Sequence, residues 1–170
     1  MRSDGAGRVT GARDGPQRLT ASVETFCGTV EQLPAHAFLV KPWGPRQVLA
    51  HLVFWHESYV RQIEAGRAGI GWLFPVGTLK ELNEVAVASL AAVGVPTMLA
   101  RFRTANSRLC RLAADPNTAG ARVQLKRDTK SWPLSEFILQ VESHVRRHGE
   151  QIRRTYPSRR GSSRADDSRA

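Results

Sequence analysis

Only two cysteines, Cys27 and Cys110, occur among the 170 residues, and they stand far apart on separate helical patterns. Two such residues exclude a disulfide framework and a CxxC metal site, and they predict a reducing cytoplasm with both thiols filling core positions. Long apolar runs are also missing. Met1–Leu19 alternates Gly, Arg, Asp and Ser, and the longest apolar stretch, Val85–Ala100, is broken by Ser89, Gly94 and Pro96. Neither a signal peptide nor a membrane span is expected from such segments. Nothing alternates convincingly with period two, so an all-α fold is the economical reading.

What the sequence has in quantity is positive charge, a net +10, and its location decides its meaning. Four Arg against two Asp in residues 1–18, and six Arg against two Asp in residues 153–170, leave only +4 to the chain between them. Ends rich in Arg, Ser and Gly without apolar residues cannot offset the entropy of ordering. Residues 1–16 and 157–170 are therefore expected to be disordered basic tails around one domain at 17–156, whose length suffices for one sizeable core. Nucleic-acid association through the tails ranks last among the functional readings, because no helix-turn-helix, zinc finger or stacking platform accompanies them. No specific nucleic acid and no membrane is expected as a partner.

Within the domain, apolar spacing predicts a first helix over 16–33, with Leu19, Val23, Phe26, Cys27, Val30 and Leu33 on one face and Pro34 closing it. A second helix opens at Trp43-Gly44-Pro45, where proline suits the first turn, and runs to about Ala65. Its inward face reads Val48, His51, Leu52, Trp55, Tyr59 and Ile63. Gly66 to Gly77 is a glycine-rich loop with Trp72, Phe74 and Pro75, long enough to cover one end of a bundle and to roof a pocket. Thr78 and Glu81 form a capping-box pattern for a crossover helix over 79–93. The third bundle helix, about 96–114, carries Leu99, Phe102, Asn106, Leu109 and Cys110 inward. After a polar connection containing Lys126-Arg127-Asp128, the last helix runs from about Pro133 to Tyr156, with Leu134, Phe137, Ile138, Val141, His144, Val145, His148 and Ile152 facing in.

Three inward histidines are the unusual feature of this pattern. A lone histidine on an apolar face is more often a hydrogen-bonded core residue than a ligand. His144 and His148, however, are one turn apart on one helix, and His51 faces inward from another. Burying three imidazoles without strong partners is costly, whereas neutral imidazole suits Zn, Ni, Fe or Cu, and bundle cores are a common place for such sites. Three protein nitrogens leave a coordination position open, as catalytic sites do. His56, about 140° around the helix from His51, is expected to contact the substrate or a ligand residue and not the ion itself. Glu142 is expected to be solvated, Arg146, Arg147, Arg153 and Arg154 to line the outer face, and Trp55, Tyr59 and Phe102 to serve the core. Asn106 is a further candidate for the pocket, together with Trp55, Tyr59 and Trp72.

Trp43-Gly44-Pro45-Arg46-Gln47-Val48-Leu49-Ala50-His51-Leu52, continuing through His56-Glu57-Ser58-Tyr59, resembles the second helix of DinB/YfiT-like proteins. His144-Val145-Arg146-Arg147-His148-Gly149-Glu150-Gln151-Ile152 is similar to the end of their last helix. Lys80-Glu81-Leu82-Asn83 and Lys130-Ser131-Trp132-Pro133-Leu134 look more like the ClbS/DfsB branch of the same superfamily. The matched segments cover roughly 43–59, 79–84 and 130–152. The resemblance implies a DinB/YfiT-like four-helix bundle in which His51, His144 and His148 bind a divalent metal, Zn or Ni. It also implies thiol transfer, isomerisation or hydrolysis on a small-molecule substrate, with a low-molecular-weight thiol such as mycothiol or bacillithiol. The ClbS/DfsB features leave open a metal-free protein that binds or hydrolyses a genotoxic small molecule. Gly44 stands where the family pattern has Ser or Thr, which predicts a weaker helix start. Oligomeric state is left open, with a homodimer through the aromatic loop as the reading entertained.

Overall fold

A computed structural model describes residues 14–71, 73–118 and 120–157. Helix α1, Gly15–Glu31, buries Leu19, Val23, Phe26, Cys27 and Val30, the three- and four-residue spacing of one helical face. A short 3-10 turn, Ala35–Leu39, leads to α2, Pro45–Arg67. Sixteen of the 23 residues of α2 are buried, so this helix, with neighbours on most of its sides, is the centre of the molecule. Helix α3, Leu79–Ser89, begins with the expected capping box: Thr78 Oγ1 accepts from the Glu81 backbone N–H at 3.2 Å, and a Glu81 carboxylate oxygen accepts from the Thr78 N–H at 2.8 Å. Helix α4, Val95–Ala114, and helix α5, Leu134–Thr155, complete the helical set.

Of the tails expected to be disordered, residues 1–13 and 158–170 lie outside the described residues, and α1 already begins at Gly15. The crossover helix ends at Ser89, short of the expected 93. One element was not anticipated: β1, Arg122–Gln124, pairs antiparallel with β2, Ser131–Pro133, placing the fully buried Val123 opposite Trp132. Strands of three residues are too short to show a period of two, and Lys126-Arg127-Asp128 is their connection. Asp128 turns the chain with a φ of 62°.

The four long helices form a ring. Helix α1 packs between α5 and α4, α4 packs between α1 and α2, and α3 lies against α2. Where the ring closes, α2 and α5 barely touch. This gap lets side chains from both helices face a common space. On the opposite side Phe26 and Phe102 pack edge to face, with centroids 5.7 Å apart, inside a core that also holds the buried Met98, Leu109 and Ile138.

Sequence expectation and structure differ at Glu142. Only 5% exposed, it accepts from Ser22 Oγ at 2.9 Å and pairs with Arg18 at 3.4 Å and Arg146 at 3.6 Å. It points toward α1 and not toward water, because α1 supplies partners, Ser22 and Arg18, that no local pattern reveals.

The start of α2 explains another departure. Gly44 accepts the first helical bond, from Val48 N–H at 3.1 Å, with no side-chain cap. A Cβ at this position would run into the backbone carbonyl of Val40, so the approach of the preceding turn dictates glycine here. Arg46 then donates to the carbonyls of Ala91 and Val93, both at 2.7 Å, and fixes the start of α2 to the α3–α4 connection. The side-chain cap gained by Gly44→Ser adds only a few tenths of a kcal/mol over glycine. Overpacking against Val40 costs about 1–3 kcal/mol. The substitution toward the family pattern is therefore expected to destabilise the protein in urea denaturation.

Candidate metal centre

His51 projects from α2 into the gap, and His144 and His148 project into it from α5, one turn apart. Their Nε2 atoms converge: His51 to His144 is 3.2 Å and His148 to His144 is 3.0 Å. Burial holds all three rings neutral. It pushes His144 down to about 3, with His148, His51 and Arg147 adding to the effect, and His51 down to about 4, with His148 adding and Asn83 opposing. His148 is also lowered by burial, with Gln151 partly opposing.

The tautomer of His51 follows from its surroundings. Trp55 Nε1 can only donate, and it meets the Asn83 side chain at 3.0 Å, so the atom it meets is the amide oxygen. His51 Nδ1 lies 3.1 Å from that same oxygen and must donate its proton there. The Nε2 of neutral His51 is therefore a lone pair aimed at the cluster. His144 Nε2 carries either one proton or one lone pair, and so makes at most one good hydrogen bond with its two Nε2 neighbours. The remaining contact goes unmet, with lone pair against lone pair when His144 Nε2 is unprotonated. A cation resolves the conflict by accepting all of them. Two nitrogens on one tetrahedral zinc, at bonds of about 2.0–2.1 Å, stand about 3.3 Å apart, close to the two separations from His144 Nε2, and the ligand atoms of all three rings lie within 4.8 Å of one another. The donor set thus fits a divalent ion.

The cluster borders two cavities. The larger, about 380 Å³, is walled by Trp55, Tyr59, Phe137 and Trp132 and reaches Gln140 and Arg147. The smaller, about 360 Å³, is lined by Trp43, Val48 and Gln151. Both include His51, His144 and Asn83. Trp43 packs edge to face on His51 at 5.7 Å from a left-handed backbone, φ 59°, which is uncommon outside glycine. Trp55 stacks with Tyr59 at 5.9 Å, and the Tyr59 hydroxyl has no hydrogen-bond partner among the described residues. Burial raises the phenol pKa, so the hydroxyl keeps its proton at neutral pH.

Trp55 and Tyr59, nominated from the sequence, thus stand beside the histidines. His56 and Asn106 line neither cavity. His56 is 1% exposed on another side of α2, donating from Nδ1 to Leu52 O at 3.0 Å and packing on Phe102. Asn106 is buried on α4, where its amide oxygen accepts from the Cys110 thiol at 3.8 Å. Trp72 lies outside the described residues. Sequence reasoning missed Asn83, Trp132, Gln140 and Arg147. Asn83 had a readable signal, being one turn after Leu79 and beside the inward Leu82 and Ala86 on a helix otherwise mostly exposed.

A solved structure of a mycothiol-dependent maleylpyruvate isomerase is similar to this chain, with a TM-score of 0.65 and 11% sequence identity over 83% of this chain and 60% of that one. A histidine-to-alanine mutant of that isomerase matches to the same extent. The chain has the DinB/YfiT-like helical-bundle fold. It spans about 60% of the length of the structures that share this bundle with it. No protein-family model matches the sequence, and neither does any curated protein.

Two measurements probe the centre. Asn83→Ala removes the acceptor for both His51 and Trp55 and is expected to weaken Zn or Ni binding about 10–100-fold by competitive chelator titration, whereas Asn83→Asp keeps the acceptor and most of the affinity. For the pH dependence, an unfolded histidine takes up a proton below about pH 6.5, while folded His51 and His144 resist until about 4 and 3. Between those limits the unfolded state binds more protons. The melting temperature of metal-free protein is thus expected to hold above pH 6.5 and to fall as pH drops toward 4, with a flatter profile in the His51→Gln/His144→Gln double variant.

Proposed function

We propose that this protein is a metal-dependent enzyme that transfers a thiol, or water, to a small electrophile. The observation carrying the proposal is the convergence of three neutral imidazoles, their ligand atoms within 4.8 Å of one another, beside two cavities. His51, His144 and His148 would hold the ion, which when bound favours the deprotonated form of a thiol or water at neutral pH.

The chain's own groups do the rest. Asn83 holds the His51 proton on Nδ1 and keeps Nε2 available, while Trp43 and Trp55 fix the ring from two sides. Trp55, Phe137 and Trp132 give the larger cavity an apolar wall for the substrate to pack against. Tyr59, protonated and without a hydrogen-bond partner among the described residues, offers its hydroxyl to an oxygen of the substrate. In thiol addition to an epoxide the S–C bond forms as the C–O bond opens, and the thiol proton ends on the alcohol. Mycothiol is the first thiol to try, because the structurally similar isomerase depends on it. We place the reaction in the cytoplasm: Cys27 and Cys110 are both free thiols, and among the described residues no helix is long and apolar enough to cross a membrane.

A second reading, a metal-free ClbS/DfsB-like protein that binds or hydrolyses a genotoxic electrophile, is favoured by one observation. Asn83 and Trp132, from the two segments carrying that resemblance, both line the larger cavity. Elemental analysis decides between the readings. One equivalent of metal in the wild type, lost in His51→Ala and His148→Ala together with thiol transfer, is the expected result. Metal-loaded protein inert toward a panel of epoxides, quinones and cyclopropanes would sink the first reading, and activity abolished by chelation would sink the second.

A further inference from the structure

The larger cavity combines flat aromatic walls with unbalanced positive charge. Tyr59 stacks with Trp55 and meets Phe137 edge to face at 4.8 Å, and Trp132, on the hairpin, lines the same cavity. Among the described residues no Asp or Glu lines this cavity. Arg147 does, and its guanidinium has no carboxylate partner among the described residues. The adjacent Arg146, by contrast, is engaged by Glu142 and Glu150. Arg147 is an exposed residue whose side chain reaches the rim of a cavity that no acid among the described residues lines, and there it is a ready counterion. Lys130, which does not itself line the cavity, holds the Trp132 ring through a cation–π contact, its Nζ 3.7 Å from the ring centroid.

We propose that this cavity takes a flat, conjugated acid, with its body between the aromatic side chains and its carboxylate on Arg147. Arg147 is then a specificity-determining residue, since a planar guanidinium can meet both carboxylate oxygens at once. As a statement about the substrate, the proposal rests on the cavity being the active site, as argued above. As a statement about binding, it is independent of metal.

The test uses two probes of nearly equal shape, 1-naphthoate and 1-naphthalenemethanol, titrated into the full chain in excess chelator and followed by tryptophan fluorescence. Excess chelator removes any carboxylate–metal contact from the comparison. A charge-assisted hydrogen bond predicts that the wild type prefers the acid by about tenfold or more, less in high salt. Arg147→Gln is expected to abolish the preference while leaving the affinity for the alcohol within about twofold, since only the charged contact is lost. Equal binding of the two probes by the wild type, no binding of either, or a preference that survives Arg147→Gln would each overturn the proposal. Loss of thiol transfer with this selectivity intact would instead count against the enzymatic reading alone.

Discussion

Three imidazole nitrogens can share one point in a protein only while all three are neutral, and most of what distinguishes this bundle serves that condition. Burial in the gap between α2 and α5 disfavours the charged forms, and the mutual repulsion of any charged members reinforces it. A single amide oxygen, that of Asn83, then decides where the His51 proton resides and restrains Trp55 as well. The site depends on α3, a helix with few buried residues of its own, delivering one atom to the right place. The capping box at its start and the Arg46 clamp on the connection after it hold both of its ends.

The helical part of the fold and the histidine positions were legible because both follow from angular spacing along one chain segment. His144 and His148 share a face whatever the rest of the molecule does, and Thr78 with Glu81 identifies a helix start locally. The hairpin at 122–133 was illegible because its strands are too short to display a pattern. Glu142 was misjudged because its partners, Ser22 and Arg18, are about 120 residues away. Gly44 read as a defective cap, and only the path of the preceding turn reveals why a side chain is excluded there.

Within the site, the sequence pointed to inward residues but could not tell one inward direction from another. His56 packs on Phe102 of α4 and Asn106 accepts from Cys110 on its own helix, whereas Trp55 and Tyr59 face the gap. Arg147 was assigned to the outer face by periodicity, and its backbone is there, yet a long side chain reaches the cavity rim from that position. Such residues escape any reading that assigns a side chain by the angle of its Cα alone.

The contacts of Glu142 also act as an angular key for the last helix. Two residues of α-helix turn through about 200°, so a carboxylate drawn toward Ser22 and Arg18 on α1 obliges His144 to look the other way, toward α2. Rolling α5 in either direction would pull a buried acid from its partners before it misaligned the imidazoles. A carboxylate that never touches the site thereby sets the bearing from which two of its three nitrogens arrive.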